Sequence, residues 1–428
     1  MTHRATFSSE KWSGNLIWDT KDEALWDKSS FYLTGSFGGE NRIILGDFQP
    51  RVGMGLLFWD AQFSEKTTDG KKPFKPLRSG IKTHRPTSEK VAARGLVLEL
   101  ERNNLSSQVF SSRKISGVQV FKEFSNKLRI GGYRTNFNKD SIEHAALGGY
   151  CGYSFAQIKI TAEVGKIDST FGKVIALCFS DDLLRGGIHF RKFDAKLTNP
   201  FSGILASRSR RENETGLYGT IYFRPISGFD HTVFVDIFQR LDPADETVKR
   251  GKDFSYRVRW KIGESRLNYR VRMRTQEILF DTETTFGLEA KSAQEEKKDA
   301  HYLEWKRIFL NTFRVKIRAD YLCYILDETE KGFSGYCEIR QINGQKKWLV
   351  RWLRFATDSY NSRIYLYEYS VPGRFDVPSV YGNGWRINIC GWHDISDLAS
   401  VSAKISYQTT NENPDKKLDI IFQLDIGL

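Results

Sequence analysis

Nine basic residues stand at alternate positions in three stretches of this 428-residue chain, and they are the side chains best placed to do chemistry. Arg257, Arg259 and Lys261 alternate with Tyr256, Val258 and Trp260. Arg270, Arg272 and Arg274 interleave with Tyr269, Val271 and Met273, and Arg314, Lys316 and Arg318 with Val315, Ile317 and Ala319. In an extended strand, residues two apart share a face. Each stretch therefore predicts one apolar face and one cationic face. Like charges opposed on neighbouring strands repel, so such faces need carboxylates, water or anions. They form a candidate anion-binding patch that would attract anionic cargo or an acidic plug. The plainer reading is a wet face balanced by Asp and Glu from elsewhere in the chain.

Other chemistries lack their residues at the required spacing. The seven histidines (His3, His84, His144, His189, His231, His301, His393) are isolated, and none forms H-E-x-x-H. No metal site and no cofactor are expected. A hydrolase would need a Ser–His or Asp–His constellation assembled across strands, and the reading is non-enzymatic. Cys151, Cys178, Cys323, Cys337 and Cys390 are odd in number and scattered without C-x-x-C, so they read as small apolar residues rather than a disulfide framework. Gly35-Ser36-Phe37-Gly38-Gly39 and Gly148-Gly149 have no helix after them, which removes the phosphate-cradle reading.

The elements that must position the basic faces are strands. Aromatics make up 14% of the chain with 35 glycines and only 10 prolines, and no Gly/Ser or Pro-rich linker divides it. Mean hydropathy is nonetheless negative. Many short alternating strands in one closed sheet produce that mixture, and the absence of any apolar run of 18 residues excludes a transmembrane helix. Leu96, Leu98 and Leu100 alternate with Val97, Glu99 and Glu101, and Ile158, Ile160, Ala162 and Val164 with Lys159, Thr161 and Glu163. Phe254 to Ile262 is long enough to cross a bilayer with tilt, which takes roughly 9–11 residues. The expected fold is all-β: a single large antiparallel transmembrane β-barrel of about two dozen strands over residues 1–428. Short turns are expected near 263–265, 310–311 and 394–397, with long loops at 64–91, 276–300 and 371–383. The chain begins M-T-H-R-A-T-F without an apolar signal region, which predicts a missing upstream segment or a different natural start.

Several stretches carry a resemblance. Gly46-Asp47-Phe48, then Val52-Gly53-Met54-Gly55-Leu56, resembles the G-D-Y-x-x-x-F-G-Q-G-L signature of a family of Gram-negative outer-membrane β-barrels often associated with helix-hairpin-helix, competence-type DNA-binding segments. Ser88-Glu89 followed by Arg94-Gly95, and Phe110-Ser111-Ser112-Arg113, resemble further elements of that family. Residues 355–368, F-A-T-D-S-Y-N-S-R-I-Y-L-Y-E, resemble its F-x-T-D-S-Y-x-S-R-I-Y-x-Y-E and contain Arg363, Tyr365, Tyr367 and Glu368. Phe375, Val377-Pro378, Gly382, Gly384 and Arg386 follow in step. The alternation from Leu418 to Leu428 resembles a terminal assembly strand that closes a barrel against an amino-terminal strand. The resemblance implies a bacterial outer-membrane location. The helix-hairpin-helix part itself is absent from this sequence.

Three readings of function remain open. The first is a porin-like channel or translocation component with a basic lumen for anionic or polymeric cargo, nucleic acid entering solely as such a cargo. The second is a non-conducting anchor or scaffold for a periplasmic plug or partner. The third is a soluble all-β binding protein. The first two make membrane lipid a partner.

Overall fold

The computed structural model describes the chain except residues 1, 20–27, 59–65, 67–79, 84–92, 126, 140, 198–200, 208–211, 243–246, 284–288, 345, 373, 397–398, 412–416 and 427–428. Among the described residues there are 26 strands and no helix. The chain divides into two compact units, one of Met1–Tyr222 with Asp236–Glu246 and one of Phe223–Val235 with Thr247–Leu428.

The first unit holds β1 (Thr2–Ser8), β2 (Trp12–Asp19), β3 (Lys28–Phe37), β4 (Asn41–Arg51), β5 (Gly80–Thr83), β6 (Ala93–Arg102), β7 (Leu105–Ser112), β8 (Ile115–Glu123), β9 (Leu128–Lys139), β10 (Ile142–Phe155), β11 (Ile158–Ile167), β12 (Thr170–Ser180) and β13 (Leu184–Phe193). β14 (Glu214–Ile226) and β15 (Phe229–Gln239) contribute to both units. The second unit continues with β16 (Val248–Ile262), β17 (Ser265–Glu283), β18 (Glu289–Phe309), β19 (Phe313–Ile325), β20 (Thr329–Gln341), β21 (Lys346–Thr357), β22 (Ile364–Tyr365), β23 (Ser379–Val380), β24 (Asn383–Ser396), β25 (Ala399–Thr410) and β26 (Lys417–Ile426). Twenty-four strands belong to one sheet, and β22 and β23 form a separate ribbon. The expected all-β architecture, one large antiparallel sheet of about two dozen strands, is thus observed.

Period-two alternation builds each unit. In the first, Leu96, Val109, Val118, Ile130, Leu147, Ile160, Ile175 and Ile188 lie on a bare face. The opposite face is covered. Val97, Phe110, Tyr133, Phe137, Tyr150 and Val174 pack there against residues that follow β4, namely Val52, Leu56, Leu57 and Phe58, and against Leu197, Phe201 and Ile204. In the second unit the apolar sets around 254–262, 267–273 and 313–321 share one face. Val258 pairs with Tyr269, Trp260 with Leu267, and Leu303 with Ala319. Trp260 and Ile317 on that face are 45% and 50% exposed. Apolar surface bare over this many strands is not what a soluble monomer presents to water.

Connection lengths are asymmetric within each unit. In the first, the connections at one end are all short, among them 9–11, 38–40, 103–104, 156–157 and 181–183, whereas the other end mixes the long 194–213 with short turns such as 113–114 and 168–169. In the second, 263–264 and 310–312 share the end with short connections, opposite the long 358–382 and the short 326–328. The expected turns near 263–265 and 310–311 are in place. The expected loop at 276–300 is corrected: β17 and β18 run 19 and 21 residues and stay paired out to Glu283 and Glu289. Apart from the consecutive Ile278, Leu279 and Phe280, both faces there are mostly polar, so alternation vanishes although the backbone ladder continues. Of 64–91, Lys66 and Gly80–Thr83 alone are described, and Gly80–Thr83 forms β5 on β4.

Gly46-Asp47 is a break built into β4. Gly46 has φ +102°, and a Cβ there would lie 2.3 Å from the Phe31 carbonyl oxygen. Asp47 then replaces the interrupted ladder: its Oδ2 accepts from the Phe31 backbone N–H at 2.9 Å. Its carboxylate also takes two hydrogen bonds from Arg94, at 2.7 and 3.0 Å. Gly46→Ala should therefore destabilise the fold by about 1–3 kcal/mol, read as a lower urea midpoint of tryptophan fluorescence in detergent. An unchanged midpoint would show that the break tolerates a side chain.

Candidate functional site

The nine basic residues lie in the second unit on β16, β17 and β19. The register sets Arg257 directly opposite Arg270, Arg259 opposite Asn268, and Asp253 opposite Arg274. β18 intervenes before β19, bringing Tyr302 opposite Arg270 and Glu304 opposite Arg318. The patch is therefore two basic strands and a third separated from them by β18, which sets Tyr302 and Glu304, and also Lys306, on the same face.

Carboxylates on the same face meet several of these cations. Arg272 donates to Asp253 at 2.9 and 2.7 Å. Arg318 donates to Asp320 at 3.0 Å, and its guanidinium lies 4.1 Å over the Tyr302 ring. Lys316 lies 3.5 Å from Glu338, and Arg259 3.5 Å from Asp230. Arg257 donates to Asn268 Oδ1 at 3.0 Å and Arg270 to Ser255 Oγ at 3.2 Å. Arg259 and Arg272 side chains keep 35% and 38% exposure, enough for water to reach the wall.

The residues carrying the family resemblance hold inserted chain in place. In the segment 358–382, Glu368 accepts from Arg386 at 2.7 and 2.8 Å, and Lys404 lies 3.4 Å from it. The Tyr367 carbonyl accepts from Arg351 at 2.7 Å. Tyr365 pairs with Ser379 in the small ribbon, the Pro378 carbonyl accepts from the Leu366 N–H, and Arg363 stacks 3.9 Å over Tyr360. The Gly382 N–H donates to Thr357 Oγ1, and Gly384 pairs with Phe355 on β21. In the first unit Gly53 lets the 52–58 turn approach Glu163, whose Oε2 accepts from the Met54 and Leu56 N–H groups at 2.6 and 3.2 Å. The Gly55 carbonyl accepts from Ser202 Oγ and the Gly203 N–H. Gly95 pairs with Gly46, next to the Asp47–Arg94 pair. Ser88 and Glu89 lie outside the described residues.

Sequence reasoning missed the partners. Asp253, Asp320 and Glu338 answer the basic faces, and Arg351 and Lys404 tether the inserted segment. A signal was present for two of them: Asp253 and Asp320 stand at even spacing from Arg257 and Arg318, hence on the same faces. Nothing in the sequence pointed to the buried cluster of the first unit, where Arg191 donates to Asp236 at 2.8 and 3.1 Å and also bonds Glu214, which in turn holds Arg240 at 2.8 Å. Among the described residues no group of three or more His, Cys, Asp or Glu could hold a metal ion.

No known family's sequence profile matches the chain, and no curated protein matches it. Solved structures similar to it include an anion-selective porin from Comamonas acidovorans (11% identity, 75% of this chain and 98% of that one, TM-score 0.34). Others are OccK10 (OpdN) of Pseudomonas aeruginosa (10%, 74% and 92%, 0.38) and OmpT of Vibrio cholerae expressed in the outer membrane (8%, 72% and 89%, 0.33). Likeness of this degree carries no argument about lineage or activity.

Two predictions follow from the Glu368 site. Glu368→Ala strands Arg386 as a buried charge, leaves Lys404 to Asp376 alone at 2.7 Å, and should cost about 3–5 kcal/mol, measured by urea unfolding in detergent; a loss below ~1 kcal/mol would mean that water replaces the carboxylate. Asp376 supplies the pH dependence. Burial would raise its carboxyl, but hydrogen bonds from Lys404, Arg374 and Ser370 outweigh that and hold it at about 2, below its ordinary 3.8. A depressed folded-state value means that its contribution is complete above the unfolded value and is lost as pH falls through about 2. An acid-stable protease should leave 358–382 intact at pH 4 and cut it increasingly below pH 3. Asp376→Asn should remove this acid step.

Proposed function

We propose that this chain is an outer-membrane β-barrel channel whose polar face walls an aqueous lumen favouring small anions. The observation that carries this reading is the directly opposed Arg257–Arg270 pair on two long adjacent strands. In a soluble core such a juxtaposition is costly; against water between low-dielectric walls it raises the local anion concentration. The membrane part of the reading rests on the bare apolar face of both units and on short connections gathered at one strand end, the layout of bacterial barrels. Sheet edges have no partner in hydrocarbon, so closure of β26 against β1 belongs to the proposal. Membrane lipid is then the partner of the bare face, and polymeric cargo such as nucleic acid would be drawn by the same wall.

A second reading, the non-conducting anchor with a periplasmic plug or partner, has its own observation. Residues 52–58 and Leu197, Phe201 and Ile204 pack the covered face of the first unit into a solid apolar core, and 358–382 is tied to the polar face of the second. Planar-bilayer recordings separate the two. The channel predicts a reversal potential favouring chloride over potassium, which moves toward zero in Arg257→Gln/Arg270→Gln. It should also shrink between 0.1 and 1 M salt, as the screening length falls from about 10 to about 3 Å. Folded, inserted protein that passes no current would overturn the channel and support the anchor.

A further inference from the structure

At the end of the second unit where connections are short, the turn between β16 and β17 meets the end of β18 and the start of β19 around a cavity of about 350 Å³. Its walls carry Lys261, Arg266, Lys306, Arg307 and Arg314, against Glu264 as the one carboxylate. The register makes this more than a loose collection. Lys261 is opposite Arg266, Arg266 opposite Lys306, and Lys306 opposite Lys316, so four cations stand in one row across four adjacent strands. Side chains directly opposed at this spacing repel when their charges are alike. Lys306 and Lys316 are relieved by Glu304 at 2.9 Å and Glu338 at 3.5 Å. Among the described residues no ion pair joins Lys261, Arg266, Arg307 or Arg314 to a carboxylate. The turn is also tied to its neighbour: its tip at Gly263 has φ +55°, and the Lys261 N–H donates to the Gly228 carbonyl of the neighbouring turn at 2.7 Å.

We propose that this cavity binds a soluble phosphate or polyphosphate anion. Two guanidinium groups, on Arg266 and Arg314, offer planar forks that match oxyanion geometry bidentately, and the Lys261 and Lys306 ammonium groups add point charges. The row shares the face of Arg257, Arg259 and Arg270, whereas Trp260, Leu303, Trp305 and Ile317 occupy the opposite, apolar face. That placement selects an anion arriving through water over the headgroup of a lipid lying against the apolar face. Arg307 is the exception, since it sits on the apolar side over the Phe309 ring at 5.0 Å. The inference does not rest on conduction, because binding is measurable on protein that carries no current.

The test is calorimetric titration of pyrophosphate into the full chain, folded in a zwitterionic detergent free of phospholipid, at low salt. Wild type should bind at one saturable site. Arg266→Gln/Arg314→Gln removes charge-assisted hydrogen bonds and should weaken binding by about tenfold or more. Glu264→Gln removes the opposing carboxylate and should tighten it, a gain that a misfolded protein would not show. Exposed Lys291, on the far part of β18, is the control, and Lys291→Gln should bind as wild type does. Heat released without saturation, or equal affinity in wild type and the double variant, would overturn the site. So would protein that ignores pyrophosphate yet binds phosphatidylglycerol in nanodiscs through the same arginines, which would make the cavity a lipid-headgroup site.

Discussion

A strand that runs through hydrocarbon has no water for its N–H and C=O groups, so the neighbouring strand must satisfy every one of them. In the membrane barrel proposed here, much of the molecule follows from that constraint. Backbone hydrogen bonds occupy the plane of the sheet, which leaves two faces to divide the side chains by polarity. The bare face takes Leu, Ile, Val, Phe and Trp, and buried charges such as Glu163, Arg191, Asp253, Glu338 and Arg351 lie on the other. Where the ladder is interrupted, a side chain must stand in. Asp47 does so after Gly46, accepting from the Phe31 N–H that a regular partner would have bonded. Arg94 neutralises that carboxylate on the apolar side of the sheet and lies 4.9 Å over the Phe31 ring, so the ion pair is partly roofed by an aromatic face.

Crowding charge on one face creates the second constraint. A cation removed from bulk water needs a carboxylate with good geometry, and breaking such a pair leaves an uncompensated charge. The buried Arg191–Glu214–Asp236–Arg240 cluster and the Glu368–Arg386–Lys404 group meet the need in the same way, with carboxylates shared between two cations. The geometry differs in what it joins. The first cluster ties strand to strand, whereas Glu368 belongs to inserted chain and makes its position depend on the wall. Register fidelity is a hypothesis for both: a slip of one residue on β24 would turn Arg386 to the apolar face.

The period of two was the legible part of the sequence. It placed Val258, Trp260, Tyr269 and Ile317 on one face and the basic residues on the other before any contact was known, because the side-chain direction of a strand depends on parity alone. Parity says nothing about neighbours across the sheet. That Arg272 would meet Asp253 while Arg257 would meet Arg270 depends on a register set by the two-residue turn at 263–264. The hairpin continuing through 276–300 was invisible for a related reason: a ladder with polar residues on both faces has backbone hydrogen bonds and no pattern. The glycine-rich stretch after Pro50 stood out by its resemblance to a barrel signature, which does not tell that what approaches Gly53 is the Glu163 carboxylate, more than a hundred residues away.

The two units put the same face to different uses. In the first, Phe58 meets Phe137, Tyr133 and Phe201 ring to ring at about 6 Å, and such contacts exclude water. In the second, the equivalent polar face keeps Arg259 and Arg272 more than a third exposed. An ion sheds its hydration where apolar rings close the space and retains it where half-exposed guanidinium groups line the wall, because stripping a charge of water without replacement costs many kcal/mol. Passage along the first unit's packed face would require 52–58 to leave, against the Met54 and Leu56 hydrogen bonds to Glu163 and the burial of Leu56, Leu57 and Phe58. Along the second, water already reaches the charges. In the proposed channel, permeation would therefore follow the second unit's wall, while the apolar filling of the first is held by the same burial and hydrogen bonds as the rest of its core.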